Sequence, residues 1–156
     1  YFDVNAKSIT YDLWHGYRKL ERDGTAPAFP FGHGLSYTEF DYTNLQLEKD
    51  SLTDRDSISA VLDITNTGHT AGDTVVQCYI AVPHSRVVRA PKELKSFQRV
   101  TLQPGETKPV RIDIPVRDLA YYDLETGWTV EPTAYTLIVG QHSLDDQALQ
   151  ASFRVT

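Results

Sequence analysis

The sequence predicts an all-β protein: a sandwich of about seven antiparallel strands behind an extended N-terminal segment. Three observations predict it. From Glu39 onward apolar residues recur at every second position in short runs, the mark of half-buried strands. Clusters of Gly, Pro, Asn and Asp separate those runs at regular spacing, as turns do in a sandwich. Nine Tyr, no Met and abundant Val, Ile and Thr favour strands over helices.

The elements follow in order. Residues 1–28 show no sustained period. Tyr11, Trp14 and Tyr17, with Leu13 and Leu20, have roughly helical spacing and predict one or two helical turns. An irregular lead-in of this length must be tied to something. Its aromatics, Tyr1, Phe2, Tyr11, Trp14 and Tyr17, are expected to pack on this domain or on an absent neighbour. Phe29-Pro30-Phe31-Gly32-His33-Gly34-Leu35-Ser36-Tyr37-Thr38 then marks the change from irregular chain to strands. Pro30 biases Phe29 towards extended backbone, and the two glycines let the chain bend around His33. This decamer reads as a hinge and docking strip. Residues 1–38 are therefore a linker and docking segment, and 39–156 the β domain.

Phe40, Tyr42, Leu45 and Leu47 form the first strand, with a phase slip near Thr43-Asn44 that predicts a bulge. Residues 50–56 read as a polar turn. Ile58, Ala60, Leu62 and Ile64 alternate up to the turn at Asn66-Thr67-Gly68. Val76, Cys78, Ile80 and Val82 alternate until Pro83. After a basic loop at 83–92, strands follow over 94–102, 110–114, 128–130, 135–139 and 151–155, with a tight corner at 119–123.

A chain of 156 residues with 40% hydrophobic and 23% charged residues forms one ordinary globular core. A net charge of −6 argues against nucleic acid and anionic membranes as partners. No apolar run approaches the roughly 20 residues of a membrane span. The N-terminus has neither an initiator Met nor a signal-peptide layout, so the chain is expected to come from a longer or processed polypeptide. Cys78 is the one cysteine, which rules out an internal disulfide.

No catalytic residue is assigned. The carboxylate pairs Asp54/Asp56, Asp123/Glu125 and Asp145/Asp146 fall in turns, where Asp bonds local backbone. A glycosidase pair needs carboxyls roughly 5 to 9.5 Å apart across a sugar cleft. The five histidines lack zinc-site spacing, so no metal and no cofactor is expected. His33 reads first as a ring filling a gap and bonding a backbone carbonyl, and second as a contact to a ligand or neighbour. Cys78 reads as an inert buried thiol. Arg86, Arg89 and Lys92 of the basic loop could hold an acidic ligand, but such a loop is more often a solvated edge. Tyr121, Tyr122 and Trp128 read as a packed sandwich corner, or as sugar-stacking faces if exposed.

Four passages resemble the C-terminal part of glycoside hydrolase family 3 enzymes, the β-glucosidases, β-xylosidases and relatives. Gly16-Tyr17-Arg18 resembles the family's linker motif, although Lys19-Leu20-Glu21 stands where an aromatic and an aspartate are common. The decamer resembles the entry into the family's fibronectin type III-like domain. Thr65-Asn66-Thr67-Gly68 with the passage from Gly72 to Ile80, and Pro91 to Glu106, resemble that domain's middle strands. The resemblance implies an immunoglobulin/fibronectin III-like sandwich. It also implies partners: a barrel domain carrying the nucleophile and an α/β domain carrying the acid/base, both of the same enzyme. No position here matches the nucleophile motif. The family further implies a secreted or periplasmic setting. The expected role is a non-catalytic module docked through Tyr17, Arg18, Phe29, Phe31, His33 and Tyr37. The alternative is a carbohydrate-binding module that holds polysaccharide through Tyr121, Tyr122 and Trp128.

Overall fold

A computed structural model describes residues 5–156, so Tyr1 and Phe2 lie outside the described residues. A short helix, α1 (Tyr17–Arg22), precedes the strands. The helical spacing began earlier, at Tyr11, but the helix forms only from Tyr17. Asp12 accepts the Trp14 N–H at 2.7 Å in a local turn, and Gly16 sits at φ 57°, so the backbone enters helix only beyond it.

The strands in chain order are β1 (Phe40–Leu47), β2 (Ser51–Leu52), β3 (Ser57–Asn66), β4 (Gly72–Ala81), β5 (Glu93–Leu102), β6 (Thr107–Pro115), β7 (Tyr121–Asp123), β8 (Gly127–Thr129), β9 (Ala134–Gly140) and β10 (Leu149–Val155). One sheet runs β1-β3-β6 and the other β2-β10-β9-β4-β5, with β7-β8 a separate ribbon. Seven of the strands are long and form the expected sandwich. Three short ones were not read as strands or were read unpaired.

Each of these has a local cause. The stretch 50–56 is polar except for Leu52, which is buried and carries β2 alongside β10 in parallel. The chain thus leaves the first sheet after β1 and joins the second, held by Arg154 N–H to Asp50 O at 2.8 Å and Thr156 N–H to Leu52 O at 2.9 Å. The corner at 119–123 is a 3₁₀ turn (Val116–Leu119) leading into β7, and the strand expected at 128 is its hairpin partner β8. Asp123 makes that hairpin by accepting the Glu125 and Thr126 N–H groups at 2.8 and 3.0 Å, with Gly127 at φ 77°. The phase slip in β1 is a bulge: register with β3 breaks between Thr43 and Gln46, and Asn44 takes φ 57°.

The two inner faces meet through β3 and β6 on one side and β4, β9 and β10 on the other. Ile58, Leu62 and Ile64 face Val76, Leu137 and Val139, all buried. Cys78 lies among them, and burial pushes its thiol up to about 12. One strand departs from alternation. β4 is buried on both faces from Val76 to Ile80, because Gln77 and Tyr79, which point away from the core, are covered as well. What covers them is the leading segment.

Candidate docking surface

The N-terminal segment lies on the outer face of the five-stranded sheet, and aromatic packing fixes it there. The Tyr17 ring stacks on Phe31 with centroids 4.8 Å apart and meets Tyr79 edge-on at 6.2 Å. Its hydroxyl accepts the Leu94 N–H at 3.0 Å. The Lys92 ammonium sits 5.6 Å over the Tyr79 ring and pairs with Glu21 of α1 at 3.5 Å.

Gln77 is the clamp. Its amide Nε2 donates to Gly32 O at 3.1 Å and to Gln141 O, and its Oε1 accepts the Tyr79 hydroxyl at 2.6 Å. Burial raises the Tyr79 phenol well above its ordinary value, so it remains a donor at neutral pH. Gly32 sits at φ 81°, and a Cβ there would run into the Gln77 amide. The bend around His33 therefore demands glycine for both conformation and space. Phe31 O accepts the Ser143 N–H at 2.9 Å.

The far end of the decamer is pinned too. The Thr38 hydroxyl donates to Asn66 Oδ1 at 2.5 Å. Buried Asn66 also donates to Thr70 O and Leu102 O and accepts the Gly68 N–H. Gly68 and Gly72 leave the room that Thr38 occupies.

Between these anchors the side chains divide. Tyr17 and Phe31 pack on this chain's own sheet, with Phe31 still 47% exposed. Arg18 is half-buried. Burial pushes the Glu93 carboxyl up, but Lys95, Arg89 and Arg18 outweigh it and hold the carboxyl below its usual value. His33 fills no interior gap. Its exposed ring stacks on Phe29 at 5.5 Å and lies 5.5 Å from His142. Phe29, Leu35 and Tyr37 stand 70%, 93% and 98% exposed. Sequence reasoning missed two residues that extend this apolar face, Val75 and Phe97 on β4 and β5. Val75 shares an open cleft with Leu35, and Phe97 is the cross-strand partner of Gln77. Parity held the signal: Val100 and Leu102 face inward, so Phe97 faces out.

Residues 74–143 match the family described as Fibronectin type III-like domain. The sandwich is a fibronectin type III-like domain. The chain is 40% identical over 144 residues to thermostable β-glucosidase B of Acetivibrio thermocellus, covering 92% of this chain and 19% of that protein. It superposes on β-glucosidase 3B of Thermotoga neapolitana, solved in complex with α-D-glucose, with a TM-score of 0.82 and 38% identity, covering 92% of this chain and 19% of that one. The β-glucosidase of Kluyveromyces marxianus in complex with glucose matches at 42% identity and a TM-score of 0.81, over 93% of this chain and 17% of that one. The chain thus spans about a fifth of the length of the relatives it matches. The resemblance seen in the decamer and the middle strands is thus matched over most of this chain by the C-terminal fibronectin type III-like fold found in those relatives.

Elsewhere in the fibronectin type III-like domain the polar side chains have structural work. Asp56 accepts the Thr53 N–H and hydroxyl at 2.7 Å each, and Asp145 accepts the Gln141 and Gln147 N–H groups. Hydrogen bonds from the Thr126 and Glu125 backbone hold the Asp123 carboxyl below its usual value. No cluster of three or more His, Cys, Asp or Glu suited to a metal occurs among the described residues.

The basic loop is tied down internally. Arg89 donates to Leu119 O at 3.0 Å and pairs with Glu93, and Lys92 pairs with Glu21, which leaves Arg86. Buried Glu131, which the sequence did not flag, holds this loop by accepting the Ser85 hydroxyl and the Arg86 N–H at 2.6 Å each. The packed-corner reading of the late aromatics is corrected. Tyr121 is half-buried, but Tyr122 and Trp128 stand 62% and 76% exposed, edge to face at 5.6 Å.

Proposed function

We propose that the chain is the non-catalytic brace of a family 3 retaining β-glycosidase, most simply a β-glucosidase acting on terminal non-reducing β-D-glucosyl residues. Its partners are the catalytic barrel and α/β domains of the same polypeptide. One observation carries this reading. The decamer backbone is clamped at both ends, yet Phe29, Leu35 and Tyr37 are presented to solvent. Exposed apolar side chains presented from a fixed backbone suit an interface with a partner. The names of the relatives and the small share of their length covered support the parent enzyme.

The test compares two contexts. In the 156-residue chain, Phe29→Ala and Leu35→Ala remove side chains that stand in water, so the melting temperature stays within about 2 °C. In the full polypeptide, where the strip is covered, each costs on the order of 3 kcal/mol. Aryl β-glucoside turnover then fails at a lower temperature. Equal melting shifts in the two contexts refute docking. Turnover by the 156-residue chain alone, abolished by changing one of its carboxylates, refutes the non-catalytic role.

A further inference from the structure

We propose that the β7–β8 ribbon is a carbohydrate-binding platform, with Trp128 stacking on a pyranose ring and Arg117 and Asp118 bonding its hydroxyls. Sugar rings carry an apolar C–H face and a rim of hydroxyls. Sites that hold them combine an exposed aromatic face with a few polar side chains at its edge. The ribbon offers that combination. Trp128 lines an open cleft of about 540 Å³ together with Arg117, Asp118 and Ala120. Ala120 is the small residue among them, and Arg117 and Asp118 bring a donor and an acceptor. Their own pairing, at 3.9 Å and exposed, is too loose to withhold them from a ligand.

The platform is built rather than dangling. Tyr122 pairs across the ribbon with Trp128 and braces its ring. Asp123 closes the hairpin, and the Thr126 and Thr129 hydroxyls bond at 2.8 Å. The cleft backbone is held from outside: Lys95 Nζ donates to Asp118 O at 2.9 Å and Arg89 to Leu119 O at 3.0 Å. Such fixing lowers the ordering cost of binding.

Position and surroundings favour a sugar over a protein partner. The ribbon follows the end of β6 that pairs with the start of β3, whereas Thr38 and Glu39 bond the other end of β3. It therefore lies at the opposite end of the strands from Leu35 and Tyr37, and docking of the decamer leaves it open. Arg117 and Asp118 share the cleft with Trp128, and the hairpin turn beside it presents Asp123 and Glu125 on either side of exposed Leu124. Such charged neighbours suit hydroxyls better than a dry protein interface.

The test uses the 156-residue chain. It has two tryptophans, so Trp14→Phe leaves Trp128 as the single indole reporter. Its fluorescence is titrated with cellohexaose, laminarihexaose and xylohexaose, and retardation is measured in gels containing mixed-linkage β-glucan or xylan. The expected result is a saturable change with at least one oligosaccharide. Trp128→Ala then weakens retardation at least about tenfold, or 1.4 kcal/mol, and Trp128→Tyr restores part of it. Because Trp128 is exposed, unchanged circular dichroism certifies that both variants fold. No saturable change up to about 10 mM with any of the three, or equal retardation of Trp128→Ala, overturns the proposal. So does shielding of Trp128 from acrylamide in the full-length enzyme, which would make the ribbon a second protein contact while leaving the brace intact.

Discussion

Replacing Gln77 by Leu tests whether one side chain holds the leading segment against the sheet. The substitution keeps most of the volume and removes three hydrogen bonds, to Gly32 O, to Gln141 O and from the Tyr79 hydroxyl. At about 1 kcal/mol net for each, the loss is on the order of 3 kcal/mol. The buried Tyr79 hydroxyl is then left without its acceptor. For a domain of this size each kcal/mol lowers the melting temperature by roughly 2–4 °C, so a fall of about 6–12 °C is expected in calorimetry. Tyr79→Phe, which breaks one of the three, should cost about a third as much. The two residues bond each other, so their effects should fail to add in a double-mutant cycle. Limited chymotrypsin digestion gives the local readout: cleavage at Tyr17 and Phe31 should accelerate well before the sandwich melts. A fall below about 2 °C with unchanged digestion would refute the clamp.

Two further outcomes follow from the same geometry. Asp56 is held below its ordinary value of 3.8 by the Thr53 backbone N–H and then the Thr53 hydroxyl, and Asp123 by the Thr126 and Glu125 N–H groups. Their folded values lie below their unfolded ones. Their contribution is therefore full above the unfolded value and is lost as pH falls through the folded one, below about pH 4. Urea midpoints should drop there, and Asp56→Asn should flatten the drop; an unaltered slope counts against the turn role. Cys78, its thiol pushed up to about 12 by burial, should resist Ellman's reagent at pH 8 and react only on unfolding in urea. Immediate labelling in native buffer contradicts its place in the core.

Much of the architecture was legible because its signal is local. Alternation in Ile58 to Ile64 and in Tyr135 to Val139 states which face is apolar, and a sandwich is the way to bury several such faces together. The β1 slip was legible for the same reason, since inserting one residue visibly breaks parity. β2 was not. A two-residue strand has no period, and Leu52 finds its place only because β10, over a hundred positions later, arrives beside it. The hairpin of β7 and β8 hid likewise in a stretch too short for alternation.

Over the decamer the sequence marked an aromatic strip but could not apportion it. Aromatic content marked Tyr17, Phe29, Phe31 and Tyr37 alike. Composition carries no direction, so it could not tell which rings face the chain's own sheet. Tertiary packing decided that: the outward parity of Gln77 and Tyr79 offers a landing face, Tyr17 and Phe31 settle on it, and Phe29, Leu35 and Tyr37 are left outside. The sequence by itself determined the long strands, the bend and the kind of side chain presented. Only the fold decided which of those side chains were already satisfied, because burial depends on distant segments meeting rather than on neighbours along the chain.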